Sequence, residues 1–342
     1  MPIVLAAILL AGALQDADKL EKIWAVDAPF PVQSVAISPD GKVLVVGGYT
    51  TCHDIILVDP SNGMVRKTWP IPKGTAKDEA VTGIGFTADP NLFLTGGTDG
   101  FVRQWDIRSG RQVKSRNLTT PEETGRILDL VTSPDGKVCA AALQERIVVL
   151  KSAGLEEIVR LAGYPYPGTV NGVVRSGGAH GLSFTADGSK LATAGNEGVL
   201  KVWDVKTGKE LLSINAKAEV RPYAMALSAD GKLLASGGPN METRVWEVAT
   251  GKQRMAGSHA PNHPNGFWFN STGSTLLTGD SKTAIVWEVA TGKELCRLDT
   301  EIGGDASTLS RDGTLLVLGN IPSRKLSAYR WTGPKTATQD KK

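Results

Sequence analysis

The chain has 342 residues, 41% of them hydrophobic and 21% charged, with 39 glycines and 18 prolines. That is enough apolar material for a substantial soluble core and enough turn formers for a fold of many short elements. A net charge of +3 is too small to argue for a nucleic-acid binder, which needs a basic stripe, and none is expected as a partner; the three cysteines contain no CxxC pair for a zinc ribbon, redox centre or haem attachment.

In chain order, Ile3 to Leu14 is apolar except for one glycine, and Ala11-Gly12-Ala13 fits a small-x-small cleavage site. The run is shorter than the about 20 residues a membrane span requires. It therefore reads as a secretory signal over residues 1–13, although no Lys or Arg precedes it. The mature chain is expected to be extracytoplasmic, periplasmic or secreted, with no transmembrane span; a cytoplasmic protein with a false signal is the alternative.

Beyond the leader the chain repeats. Ser38-Pro39-Asp40-Gly41 recurs as Thr87-Ala88-Asp89-Pro90, Ser133-Pro134-Asp135-Gly136, Thr185-Ala186-Asp187-Gly188, Ser228-Ala229-Asp230-Gly231, Asn270-Ser271-Thr272-Gly273 and Ser310-Arg311-Asp312-Gly313. From Asp40 the spacings are 49, 46, 52, 43, 42 and 40 residues, giving seven copies. Asp-Gly between two apolar runs is a strong hairpin signal, because a tight turn needs a residue that accepts positive φ. A second landmark follows each turn. Val245-Trp246-Glu247-Val248-Ala249-Thr250-Gly251-Lys252 is repeated letter for letter at Val286 to Lys293, and Val202 to Lys209 is a near copy.

The fourth copy predicts strands at Ala179 to Phe184, Lys190 to Ala194, Val199 to Val205 and Glu210 to Ile214, joined by turns at Asp187-Gly188, Asn196-Glu197-Gly198 and Thr207-Gly208. A four-stranded sheet with apolar residues on both faces must stack on a neighbour of its own kind. Seven such sheets closing radially hide their edges, which predicts an all-β, seven-bladed β-propeller of four-stranded antiparallel blades over residues 19–334. Lys19 to Val26 resembles a fourth strand, whereas the seventh copy ends near Trp331 to Thr336 with no room for its own. The N-terminal segment is thus expected to supply the last blade's fourth strand. Residues 335–342 form a basic tail that is expected to be disordered.

Trp105-Asp106 and Trp203-Asp204, with Trp246-Glu247 and Trp287-Glu288 as conservative versions, resemble the WD-repeat family of propellers. Copies one, three and seven are degenerate at Val58-Asp59, Leu150-Lys151 and Tyr329-Arg330. The family's Gly-His dipeptide is absent; Ser258-His259 is its nearest approach. Asp99 matches the family's turn aspartate, and no copy shows the full His–Asp–Trp set in sequence. Ile55-Ile56-Leu57-Val58-Asp59 also resembles exported bacterial propellers with Tyr-Val-Thr-Asn repeats. Both resemblances imply the same seven-bladed fold. Trp105, Trp203, Trp246 and Trp287 are read as packing residues between blades.

No nucleophile elbow, HExxH helix, Walker loop or paired-carboxylate motif occurs in the sequence. Gly47-Gly48, Gly96-Gly97 and Gly237-Gly238 precede turns instead of helices and so lack phosphate-binding geometry. Cys52-His53-Asp54 carries ligand chemistry, but consecutive strand residues face opposite sides. No metal site and no cofactor are expected. Binding is expected at the channel mouth, where the inner strands begin with Gln33, Thr82, Leu128, His180, Tyr223, Asn265 and Asp305, flanked by Arg126, Arg221 and His263. The long third-to-fourth connection carries Tyr164 and Tyr166 between prolines, a candidate aromatic contact, and Trp69-Pro70-Ile71-Pro72 is a weaker one. The reading is a monomeric, non-catalytic interaction or scaffold propeller that binds a protein or peptide partner. The alternative is a channel-mouth lactonase or other hydrolase using Asp129, His180 and Asp305.

Overall fold

The computed structural model describes residues 19–48, 54–70, 80–119, 125–164, 169–170, 173–174, 178–195, 198–216, 224–237, 241–259, 264, 266–280, 282–299, 306–321 and 323–332. The signal segment 1–13 and the tail 335–342 lie outside these residues. Seven four-stranded antiparallel sheets form the blades of a β-propeller, and a two-residue hairpin pairs Thr169–Val170 with Val173–Val174 in the third-to-fourth connection. The fourth blade runs through Ala179–Phe184, Lys190–Gly195, Val199–Asp204 and Glu210–Asn215, each strand within one residue of the expectation at either end.

Turn chemistry explains why the hairpins fall where they do. Ser38 Oγ donates to Asp40 Oδ1 at 2.7 Å and accepts the N–H groups of Lys42 and Val43 at 3.1 and 3.0 Å, while Gly41 takes φ of 70°. The same closure recurs at Ser133–Asp135, Thr185–Asp187, Ser228–Asp230 and Ser310–Asp312. The hydroxyl of Ser228 holds the Asp230 carboxyl down at about 2. At the same end of the blade, the residue after the tryptophan caps the turn into the fourth strand. Asp106 Oδ1 accepts both the N–H and the Oγ of Ser109, and Asp204 does the same for Thr207. Glu247 and Glu288 reach the hydroxyls of Thr250 and Thr291, so the longer side chain serves the same turn.

The core is a ring of seven apolar clusters, one at each interface between adjacent blades. Trp105 packs with Val45, Ile55 and Leu57 of blade one, Trp203 with Ile147 and Val149 of blade three, Trp246 with Leu200 and Val202 of blade four, and Trp287 with Ala235 and Val245 of blade five. Each tryptophan thus fills the groove left by the preceding blade. Its indole N–H is satisfied inside its own blade: Trp105 donates to Thr95, Trp203 to Thr193, Trp246 to Ser236 and Trp287 to Thr278, at 2.8 to 3.2 Å.

The ring closes as expected. Lys19–Asp27 pairs antiparallel with Lys325–Thr332, making the fourth strand of blade seven. Trp24 of that strand packs with Val46, Ile56 and Val58 of blade one and with Val317 and Leu326 of blade seven, and its indole donates to Pro60 O at 2.7 Å.

Candidate functional site

The seven inner strands, Val32–Ile37, Val81–Phe86, Asp129–Thr132, Ala179–Phe184, Ala224–Leu227, Gly266–Phe269 and Ala306–Leu309, surround an axial cavity of about 1150 Å³. Gln33, Thr82 and Leu128, three of the expected mouth residues, line it. Gln33, Thr82 and His180 are each the extra residue of a β-bulge, because the pairing with the second strand skips from Val32 to Ser34, from Val81 to Gly83 and from Ala179 to Gly181. Leu128 behaves alike: its N–H donates to Ala142 O at 2.8 Å, although Ala142 is already the partner of Asp129. A bulge frees a side chain from the pleat and turns it towards the opening. Hydrophobic alternation does not reveal such bulges, so aligning the repeats locates these positions without showing how they are presented.

His180 is placed by its backbone alone. Arg221, Tyr223, Asn265, Asp305, Tyr166 and His263 lie outside the described residues, as do Cys52, His53 and residues 71–79. Arg126 is described and exposed, two residues before Leu128.

Tyr164 corrects the expectation of an exposed aromatic contact. Its ring is buried, 6% exposed, in the cluster between blades three and four. Its O–H donates to Thr193 O at 2.8 Å and lies 2.8 Å from Thr193 Oγ1, the same hydroxyl that accepts the Trp203 indole. A phenol buried with both its apolar ring and its O–H accommodated is a packing residue. Trp69 is similar, half-buried and stacked on Phe93 with ring centroids 6.4 Å apart.

In blade six, Asp280 meets His259 from the preceding connection: both are fully buried, with Nδ1 2.9 Å from Oδ2. Burial alone would raise the Asp280 carboxyl; the His259 hydrogen bond and the N–H groups of Lys282 and Thr283 outweigh it and hold it below the usual carboxylate range. In blade two Asp99 instead pairs with Arg103, both nearly buried. These pairs tie loops to blades.

Asp129 is the side chain that sequence reading underweighted. It lines the cavity, and burial pushes its carboxyl up to about 7 against the opposing effect of the Leu130 N–H. In the other six blades the residue paired at this level is Ser34, Gly83, Gly181, Ala224, Gly266 or Ala306. The small size has a cause: a Cβ on Gly83 would stand 2.4 Å from the Leu130 backbone nitrogen. Among the described residues no three His, Cys, Asp or Glu side chains are grouped so as to hold a metal ion. Cys139 is fully buried and its thiol is pushed up to about 12 by burial, which makes it an inert packing group.

Residues 70–106 and 169–204 match the WD domain, G-beta repeat family. The chain is similar to Periodic tryptophan protein 2 of Arabidopsis thaliana, 28% identical over 53% of this chain and 18% of that protein. It is also similar to Protein ROOT INITIATION DEFECTIVE 3 of Arabidopsis thaliana, 24% identical over 52% of this chain and 49% of the other, and to Protein groucho of Drosophila melanogaster, 23% identical over 55% and 22%. The matched region spans less than half the length of each of these curated relatives. Geometry and comparison agree on a seven-bladed β-propeller, two of whose repeats match the WD domain, G-beta repeat.

Proposed function

We propose that the chain is a non-catalytic WD-repeat propeller that binds a protein or peptide partner through the loop face around its channel mouth. The observation that supports this reading is the bulged inner strand, found at Gln33, Thr82 and His180, with polar Gln33 and Thr82 among the residues that line the axial cavity. Exposed Arg126 lies two residues before the cavity-lining Leu128, and Arg221 is its equivalent in the sequence of the fifth repeat. Neutral and cationic side chains at a rigid rim suit a polypeptide with carbonyl and carboxylate groups to offer.

The test is affinity capture with wild-type protein and with the Arg126→Ala/Arg221→Ala variant, at matched loading and with unchanged thermal melts. The expected result is a set of proteins retained by the wild type and reduced at least about tenfold on the variant, as when two charge-assisted contacts are lost. Capture that is equal on both, or no capture above bare resin, overturns the reading.

We further propose that the protein is exported, on the strength of the apolar run Ile3 to Leu14 and the Ala11-Gly12-Ala13 site. N-terminal sequencing of the protein from its native host is expected to begin near Leu14. An intact Met1 would remove export from the account without touching the binding face.

A further inference from the structure

The seven inner strands carry one carboxylate, Asp129, and it faces the axial cavity. Among the described residues, the other charged groups that line the cavity are Arg311, Asp312 and Arg330, none of them on an inner strand. Asp312 is engaged there by Ser310 and Thr314, and Arg330 lies 3.9 Å from Glu21. Among the described residues Asp129 has no such partner: the Leu130 N–H donates to it, and no cation pairs with it. The strands packed against it are Val81–Phe86, Leu92–Gly97, Val138–Ala142 and Ala179–Phe184. Their titratable residues are Cys139, in register with Thr132 at the far end of the strand, and His180. On the same wall, Gln33 Oε1 is out of contact with solvent and without a hydrogen-bond partner among the described residues.

Six blades show that this level of the channel is built for small side chains. A half-buried carboxylate there is partly withdrawn from water and meets no cation among the described residues, an arrangement that burial penalises unless a positive group comes to it. The cavity of about 1150 Å³ is large enough to admit one. A metal ion would ask for more ligands than one carboxylate, and no group of three is present among the described residues.

We propose that the axial channel binds an organic cation, an ammonium or guanidinium group, with Asp129 as its counter-ion. The group is either free in solution or borne on a lysine or arginine side chain of a peptide lying across the mouth. The second source rests on the binding face proposed above; the first does not need it.

Calorimetric titration of the full chain separates these. The free probes are butylammonium and butylguanidinium. The peptide probes are acetyl-Gly-Lys-Gly-amide and acetyl-Gly-Arg-Gly-amide, with acetyl-Gly-norleucine-Gly-amide as the neutral control. Saturable binding is expected at pH 8, absent for the control and lost in Asp129→Asn. In the wild type, the affinity falls about tenfold for each pH unit below about 7 as the carboxylate protonates. Stronger binding of the peptides than of the free cations assigns the peptide source; equal binding assigns the free one. Because no macromolecular partner takes part, failure of the Arg126/Arg221 capture experiment leaves this result standing.

The folding control has its own sign. Asp129 titrates higher in the folded chain than in the unfolded one, so its contribution to stability is present below pH about 4 and is lost as pH rises to about 7. Asp129→Asn should therefore melt above the wild type at pH 8 and level with it at pH 4. No saturable binding of any cation by folded wild type at pH 8 overturns the proposal. So does binding that persists in Asp129→Asn, or affinity that is flat between pH 8 and 5.

Discussion

A chain lacking residues 1–27 does not unfold as one cooperative unit, and its near-ultraviolet circular dichroism is largely lost at temperatures where the full chain is native. The argument starts from pairing. Lys19–Asp27 runs in register against Lys325–Thr332, and without it the third strand of blade seven becomes an open edge. The same deletion removes Trp24, whose indole bonds to Pro60 O across the junction with blade one. Neighbouring contacts weaken too, since Ala28 N–H donates to Arg324 O and Phe30 is 2% exposed in the same cluster. Trp24→Ala alone should cost about 3–5 kcal/mol, the usual range for a large buried aromatic. That is already a large part of the about 5–15 kcal/mol that holds a folded domain together. Deletion adds the loss of the whole strand. A synthetic Lys19–Asp27 peptide added in trans should restore part of the signal, because its pairing with Lys325–Thr332 supplies the missing edge strand. An unchanged urea midpoint for the truncated chain would mean that the ring does not depend on its first strand.

This closure was legible because it needs only local information: a fourth-strand pattern at the start and a missing one at the end. The hairpins were legible for the same reason, since Ser38, Asp40 and Gly41 settle their turn among themselves. What the sequence concealed depends on elements meeting across a distance. Tyr164 looks like a loop aromatic until Thr193, 29 residues on, supplies an acceptor beside Trp203. His259 looks like an isolated histidine until Asp280 arrives from the next hairpin loop. The mouth positions Gln33, Thr82 and Leu128 could be located by aligning repeats, but the bulges that present them cannot be read from apolar alternation. Asp129 was visible as a letter and invisible as an exception. Only the observed register shows that six other blades place a small residue at that level.

Trp287→Ala is expected to cost about 3–5 kcal/mol, read from the urea midpoint with an unchanged slope. Trp287 is 4% exposed and joins Ala235, Val245 and Met255 of blade five to Leu276 and Ile285 of its own blade. Two effects contribute, and they can be separated. Thr278→Val removes the acceptor and leaves the indole N–H buried and unpaired, which costs about 1–3 kcal/mol. Trp287→Phe removes the donor while keeping most of the ring. The double variant Trp287→Phe/Thr278→Val should then cost less than the sum of the singles, because neither unpaired group remains. Trp246 offers an internal comparison. It is 8% exposed and its bond to Ser236 is 3.2 Å against 2.8 Å for Trp287, so the hydrogen-bond component of Trp246→Phe should be smaller. In an open repeat array each interface would fail separately and the transition would split in two. In a closed ring blade six is braced on both sides, so weakening one of its interfaces should move the single transition as a whole. A Trp287→Ala variant within about 1 kcal/mol of wild type would show that the indole does not carry the interface between blades five and six.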